Sequence, residues 1–243
     1  MTMPLLSSPN ETYEEHIQRA LEVFGVVFPR FQDVLARVLE KAALEDALRA
    51  AIRLHDLGKL TKTWQERVGS GRRLPAHAAI GAAYLWHHLG ANLRGPISFA
   101  VAIHHSDRGL LGDNIEKPDV QAVLDHVVDS STNSIAWDDR ARLLSNDLFP
   151  NGADKMTLED LRQFARGLRT WARGCSYIEQ HKRRMQASLV HHALKLCDIA
   201  AATKRKDWEG EKKSLDEADL YGGWLMVRQI AEYVESLTRS KVD

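Results

Sequence analysis

Apolar positions along this chain recur at three- and four-residue steps, the period of helices with one buried face. Leu44, Leu48, Ala51 and Leu54 form one such stripe. Gly58 marks its end, which puts His55 and Asp56 in the last turn. Upstream, Thr12-Tyr13-Glu14-Glu15 has capping-box spacing, with Glu15 able to reach back to the Thr12 amide. It predicts a helix to about Gly25 that carries His16. Pro75 and Pro96 both suit a first helical turn. The first predicts a helix over about 75–89 with His77, the second a helix over about 96–105 with His104 and His105. Further on, Thr157 with Asp160 and Ser176 with Glu179 repeat the capping spacing. The latter opens a long helix to about Thr203, with Met185, Leu189, Leu196 and Ala200 on one stripe. Ser214 with Glu217 opens a last helix, interrupted at Gly222-Gly223.

Residues 106–155 depart from this pattern. Gly, Asp, Asn, Ser and Pro are frequent there, and the one short helical candidate lies at about 120–128. An irregular insertion is expected. No strand pair, internal repeat or low-complexity tract is legible. The expected fold is all-α, a single helical-bundle domain over residues 1–243.

Bulk composition narrows the function classes. At 243 residues, 44% hydrophobic and 27% charged, the chain has the make-up of a globular protein with a real core. Lys plus Arg and Asp plus Glu both number 33, which excludes a strongly basic nucleic-acid binder and leaves only local basic patches for that role. The two cysteines, Cys175 and Cys197, form no C-x-x-C pair and suggest neither a disulfide framework nor a cysteine zinc site. No signal-peptide pattern or membrane-length apolar run is present, so a soluble cytoplasmic protein without a membrane partner is expected.

Eleven histidines are many for this length. His16, His55-Asp56, His77 and His104-His105 follow one another on four separate predicted helices, which one bundle can converge on one point. Imidazole with carboxylate suits divalent transition metals. Neighbours such as His55 and Asp56 diverge by about 100° on a helix, so this pair can flank two ions with the carboxylate between them.

Three stretches carry a family likeness. His55-Asp56-Leu57-Gly58-Lys59 is followed by Trp64-Gln65, His77 opens the small-residue run Ala78-Ala79-Ile80-Gly81-Ala82-Ala83, and Ala102-Ile103 precedes His104-His105. In these the chain resembles the HD superfamily of metal phosphohydrolases. Within it, the chain is most similar to the CRISPR-associated HD nuclease, the nuclease part of the type I helicase-nuclease. The likeness spans about residues 12–110, with a looser match around Asp198. It implies that His16, His55, Asp56 and Asp198 hold one metal and that Asp56, His77, His104 and His105 hold a second, with Asp56 shared. It implies catalytic roles for Asp56 and for Lys59, the latter near the scissile phosphate, and hydrolysis of phosphodiester bonds of single-stranded DNA, with RNA a further candidate. Five histidine ligands favour Mn, Ni, Co or Fe over Mg. Two departures from the family pattern are Ser106 after the His-His pair and Ala202 four residues beyond Asp198. No G-x-x-x-x-G-K-[ST] run is present, so the implied partners are a separate helicase subunit and a CRISPR effector complex.

Competing readings stay open at this point. Asp125 or Asp147 can replace Asp198 as the closing acid. His87-His88 lies about 15 Å along the helix from His77 and reads as structural; His191 reads as a packed histidine or a support to the site. Lys59, Lys62, Trp64 and Arg67, with Arg72 and Arg73, form a candidate strand-guiding patch in which Trp64 stacks a base. Lys182-Arg183-Arg184 and Lys204-Arg205-Lys206 are weaker candidates. Functionally, a nucleotide or cyclic-nucleotide phosphohydrolase and a non-catalytic HD scaffold are the alternatives to the nuclease.

Overall fold

The computed structural model describes residues 3–39, 42–105, 127–203 and 223–239. Among these, eight α-helices carry the architecture, so the all-α expectation holds. α1 spans Tyr13–Val38, α2 Leu44–Leu54, α3 Lys62–Arg67, α4 Ala78–His88, α5 Ala91–Ala102, α6 Leu158–Arg173, α7 Tyr177–Thr203 and α8 Gly223–Arg239. α1 packs along α7, α4 against α5, and α5 against α7, while α8 closes on α7 and α1.

Local rules explain most boundaries. The Thr12 capping box forms, with Thr12 accepting from the Glu15 amide and Glu15 accepting from the Thr12 amide. The helix it opens does not stop near Gly25 but runs to Val38, through both Gly25 and Pro29. Phe24, Val27, Phe28 and Leu35 continue the buried stripe begun by Tyr13, Ile17 and Ala20. Burial of that stripe outweighs the one backbone hydrogen bond that Pro29 lacks. Thr157 and Asp160 likewise form a capping box at α6, and Ser176 accepts from the Glu179 amide at the start of α7.

Several expectations shift. Pro75 precedes the helix instead of starting it, since α4 begins at Ala78 with His77 as its N-cap. Pro96 lies inside α5, which starts at Ala91 after Gly90, so His104 and His105 fall just past the helix end. Met185 is 49% exposed, at the outer edge of its stripe. A two-stranded antiparallel hairpin, β1 (Leu6–Ser8) with β2 (Glu11–Thr12), precedes α1 and was not legible in the pattern. The described part of the insertion is irregular, with two 3-10 turns and isolated bridges. It is not merely superficial: Val127, Ile135, Trp137, Leu148 and Phe149 are buried in the main core. Within the short helix expected at 120–128, Val128 forms a bridge with Ile135 instead, and the part before Val127 lies outside the described residues. The Ser214 cap, Gly222, Lys204-Arg205-Lys206, Ser106, Asp125 and His126 also lie outside the described residues. Among the described residues, no helix is long and apolar enough to cross a membrane.

Candidate metal centre

Glycine at two positions lets the site close up. A Cβ on Gly58 would stand 2.3 Å from the His77 carbonyl oxygen, and one on Gly81 would stand 2.0 Å from that of Leu54. The end of α2 therefore rests directly on the start of α4, and His55-Asp56 faces His77. α1 adds His16, the 3-10 turn Leu57–Leu60 adds Lys59, the segment after α5 adds His104 and His105, and α7 adds Asp198.

The Asp56 carboxylate, 1% exposed, stands between two groups of donors. Its Oδ2 lies 3.3 Å from His16 Nε2 and 3.4 Å from His55 Nε2. These two nitrogens also lie 3.3 and 3.6 Å from Asp198 Oδ1. Its Oδ1 lies 2.9 Å from His77 Nε2 and 3.5 Å from His104 Nε2. His105 Nε2 is 2.8 Å from His77 Nε2. Donor atoms of His16, His55 and Asp198 lie within 4.8 Å of one another, as do those of Asp56, His77, His104 and His105.

Backbone carbonyls fix two of the imidazoles. His55 Nδ1 donates to Ile52 O at 2.8 Å and His104 Nδ1 to Val101 O at 2.6 Å. A carbonyl only accepts, so each Nδ1 carries its proton and each Nε2 turns a lone pair to the centre. The Nε2 atoms of His16, His55 and His104 are buried without a hydrogen bond, an arrangement that costs free energy unless something binds there. Separations of 3.3–3.6 Å are long for hydrogen bonds. They match ligands that each reach a shared ion at about 2.0–2.2 Å. The donor set fits divalent transition metals.

Electrostatics favour the same reading. Burial raises Asp56, but the electrostatic pull of its neighbours His55, Lys59, His104 and His16 outweighs it and holds the carboxyl well below its ordinary range. Burial of Asp198 is likewise outweighed by His16 and His55. Burial lowers His77 to about 4 against the pull of Asp56, and desolvation of the ring edge that meets His77 lowers the otherwise exposed His105 to about 2 with help from His104 and His77. Both carboxylates are thus ionised, and these two imidazoles neutral, near pH 7. His16 differs: the neighbouring carboxylates of Asp198, Asp56 and Glu11 outweigh its burial and raise it well above the ordinary value.

All seven predicted donors thus come together. The rival acid Asp147 is remote, in an exposed ion pair with Arg53 at 3.2 Å. Lys59 Nζ reaches Asp56 Oδ2 at 2.7 Å and donates to Ser7 Oγ at 3.0 Å. Trp64 is a correction. It is only 4% exposed, with its ring 4.7 Å from that of His77, so it offers no face for a base and instead backs a donor histidine. Gln65 binds both the amide and the carbonyl of Leu6 and also the Lys59 carbonyl. Lys62 is exposed and Arg67 is half-buried, donating to the Arg73 carbonyl at 3.1 Å. His87 bonds the Asp160 carbonyl and His88 stacks on Tyr84, away from the centre. His191 packs by the Ile103 backbone, where burial lowers it to about 4. Sequence reasoning missed Ser7 and Glu11, both buried beside the site.

No family model matches the chain. Over 96 residues it is 35% identical to the CRISPR-associated endonuclease Cas3-HD of Thermoproteus tenax. That match covers 39% of this chain and 39% of the relative, well under half of the relative's length. The fold is similar to that of the CRISPR-associated Cas3 HD domain protein from Methanocaldococcus jannaschii, with a TM-score of 0.60 and 18% identity, covering 79% of this chain and 100% of that one. The resemblance to HD-type CRISPR-associated proteins and the all-α fold are both borne out.

Proposed function

We propose that this chain is a metal-dependent HD nuclease that hydrolyses phosphodiester bonds of single-stranded DNA in CRISPR interference, with residues 1–243 acting as one domain. The observation that carries the reading is the Asp56 carboxylate, with one oxygen toward His16 and His55 and the other toward His77 and His104. In this reading His16, His55, Asp198 and Asp56 hold one ion, and Asp56, His77, His104 and His105 the other. When bound, two divalent ions would supply an activated water nucleophile and positive charge for the phosphoryl oxygens.

The chain's own groups do the rest. Asp56 would offset the charge of bound ions and is placed to be shared by both donor sets. Lys59 is close enough to the centre to add an ammonium charge beside a bound phosphate. His105 is exposed while His55 and His104 are fully buried, so a strand reaches the centre from the His105 side. Lys62, Arg67, Arg72 and Arg73 are the candidates for phosphate contacts, without the base stacking that the burial of Trp64 prevents. With a formal net charge of zero, affinity for a bare strand is low. A separate helicase subunit and effector complex, in the cytoplasm, raise the local strand concentration.

The test is cleavage of labelled single-stranded and duplex DNA, beside a panel of nucleotides and cyclic nucleotides, with Mn added and with chelator. Metal-dependent cutting of single strands is expected. Turnover of the nucleotides alone would move the assignment to a nucleotide phosphohydrolase.

A further inference from the structure

The hairpin ahead of α1 carries two buried polar side chains, Ser7 on β1 and Glu11 on β2, each 3% exposed. Burying them in a hairpin this small calls for partners. Both point at the centre. Ser7 Oγ accepts from Lys59 Nζ at 3.0 Å. The Glu11 carboxylate lies 3.4 Å from His16 Nδ1 through either oxygen and is ion-paired with Arg19. The hairpin itself is anchored, since Gln65 bonds Leu6 through both amide and carbonyl and ties the same strand to the Lys59 carbonyl.

These contacts differ in kind from those of the other site histidines. His55 and His104 are oriented by carbonyls of their own helices. His16 instead faces a carboxylate from another element at 3.4 Å, whose charge favours the proton on Nδ1, keeps Nε2 turned to Asp56 and Asp198, and makes the ring a stronger ligand. Lys59, in turn, has two fixed partners, Asp56 and Ser7. Any ligand that engages Asp56 Oδ2 leaves Ser7 as the group that keeps the ammonium in place.

We propose that the hairpin is a positioning element of the metal centre: Glu11 sets His16 for metal binding, and Ser7 sets Lys59 for the phosphate. The inference rests on the metal-centre reading above, and its two halves have separate readouts. Metal affinity is measured by titrating Mn into the metal-free full chain. Turnover is measured on bis(p-nitrophenyl) phosphate. Glu11→Gln is expected to weaken Mn binding by about 10- to 100-fold at one ion and to spare the other. Ser7→Ala is expected to leave Mn affinity unchanged and to lower kcat on the order of tenfold, the worth of a hydrogen bond to a charged group. Ser7→Thr restores the hydroxyl and is expected to recover most of the loss. Gln65→Ala frees the hairpin and is expected to lower both quantities.

Circular dichroism and thermal unfolding of each metal-free variant identify misfolding, and the Ser7→Thr rescue keeps the Ser7 half falsifiable if Ser7→Ala is unstable. Equal changes in metal affinity for Glu11→Gln and Ser7→Ala, or no change in either readout, would overturn the proposal. A wild-type chain that binds no Mn would instead refute the metal-centre reading itself. A wild type that binds Mn without turning over the ester would refute the hydrolase reading and the Ser7 half, and leave the Glu11 half to the titration.

Discussion

Gly58→Ala places one methyl group where the structure has no room for it. The new Cβ would stand 2.3 Å from the His77 carbonyl oxygen and 2.8 Å from its Cα, both backbone atoms that cannot rotate aside. Ordinary contact requires a shift of about 1 Å. The strain of such overpacking destabilises by about 1–3 kcal/mol. The displaced residue is also a donor: His77 Nε2 now sits 2.9 Å from Asp56 Oδ1. Moving it by about 1 Å takes it out of the roughly 2.0–2.2 Å reach of a shared ion. The three atoms nearest the new Cβ all belong to His77, and none to His16, His55 or Asp198. Gly58→Ala is therefore expected to keep one ion, lose the other, and fall by about 100-fold in turnover. Urea unfolding of the metal-free protein and metal analysis after gel filtration read these effects. Wild-type stability with both ions retained would refute the packing argument, and loss of both ions with the fold intact would refute the division into two sets.

His87→Ala is expected to leave turnover nearly unchanged, because His87 bonds only the Asp160 carbonyl at the far end of α4; steady-state rates beside those of Lys59→Met, expected to be low, check this. Five imidazoles among seven donors predict that Mn, Co, Ni or Fe(II) supports higher rates than Mg, which prefers an oxygen shell, and a metal series on one substrate decides it. Because burial lowers His77 from 6.5 to about 4, the unfolded chain binds more protons in that window, so this group makes the metal-free protein less stable as pH falls through it. His77→Gln removes that contribution and should flatten the dependence of urea stability on pH between about 6.5 and 4, whereas the stability contributed by His16, raised by its carboxylates, is constant in that window and is lost only as pH rises above 6.5; unchanged slopes would count against a buried neutral His77.

Helices with a buried stripe and an N-terminal cap, such as α1, α6 and α7, could be read from the sequence, because period and cap are local signals. Where α1 ends could not, since Gly25 and Pro29 are local breakers overruled by burial of Phe24, Val27 and Phe28. The hairpin was hidden for a different reason. Its inward residues, Ser7 and Glu11, are polar because they serve the site, so it lacks the alternating apolar signal of a strand. Six of the seven candidate donors were legible as a series of His and Asp residues on successive predicted helices, and Asp198 followed only from the family resemblance, with Asp125 and Asp147 left open. Their convergence was expected of one bundle, but the close contact of two backbones at Gly58 and Gly81 was not legible. Trp64 was misread because an aromatic beside basic residues has the same composition whether it stacks a base or backs a histidine. Only its burial separates the two.

Metal content tests the central claim most directly. Wild-type chain and Asp56→Ala, each equilibrated with excess Mn and passed through gel filtration, are analysed for bound metal alongside circular dichroism. With one carboxylate serving both groups of donors, the wild type is expected to retain two ions per chain. Asp56→Ala is expected to retain almost none while remaining folded. Equal metal content in the two proteins, or none in the wild type, would contradict the account.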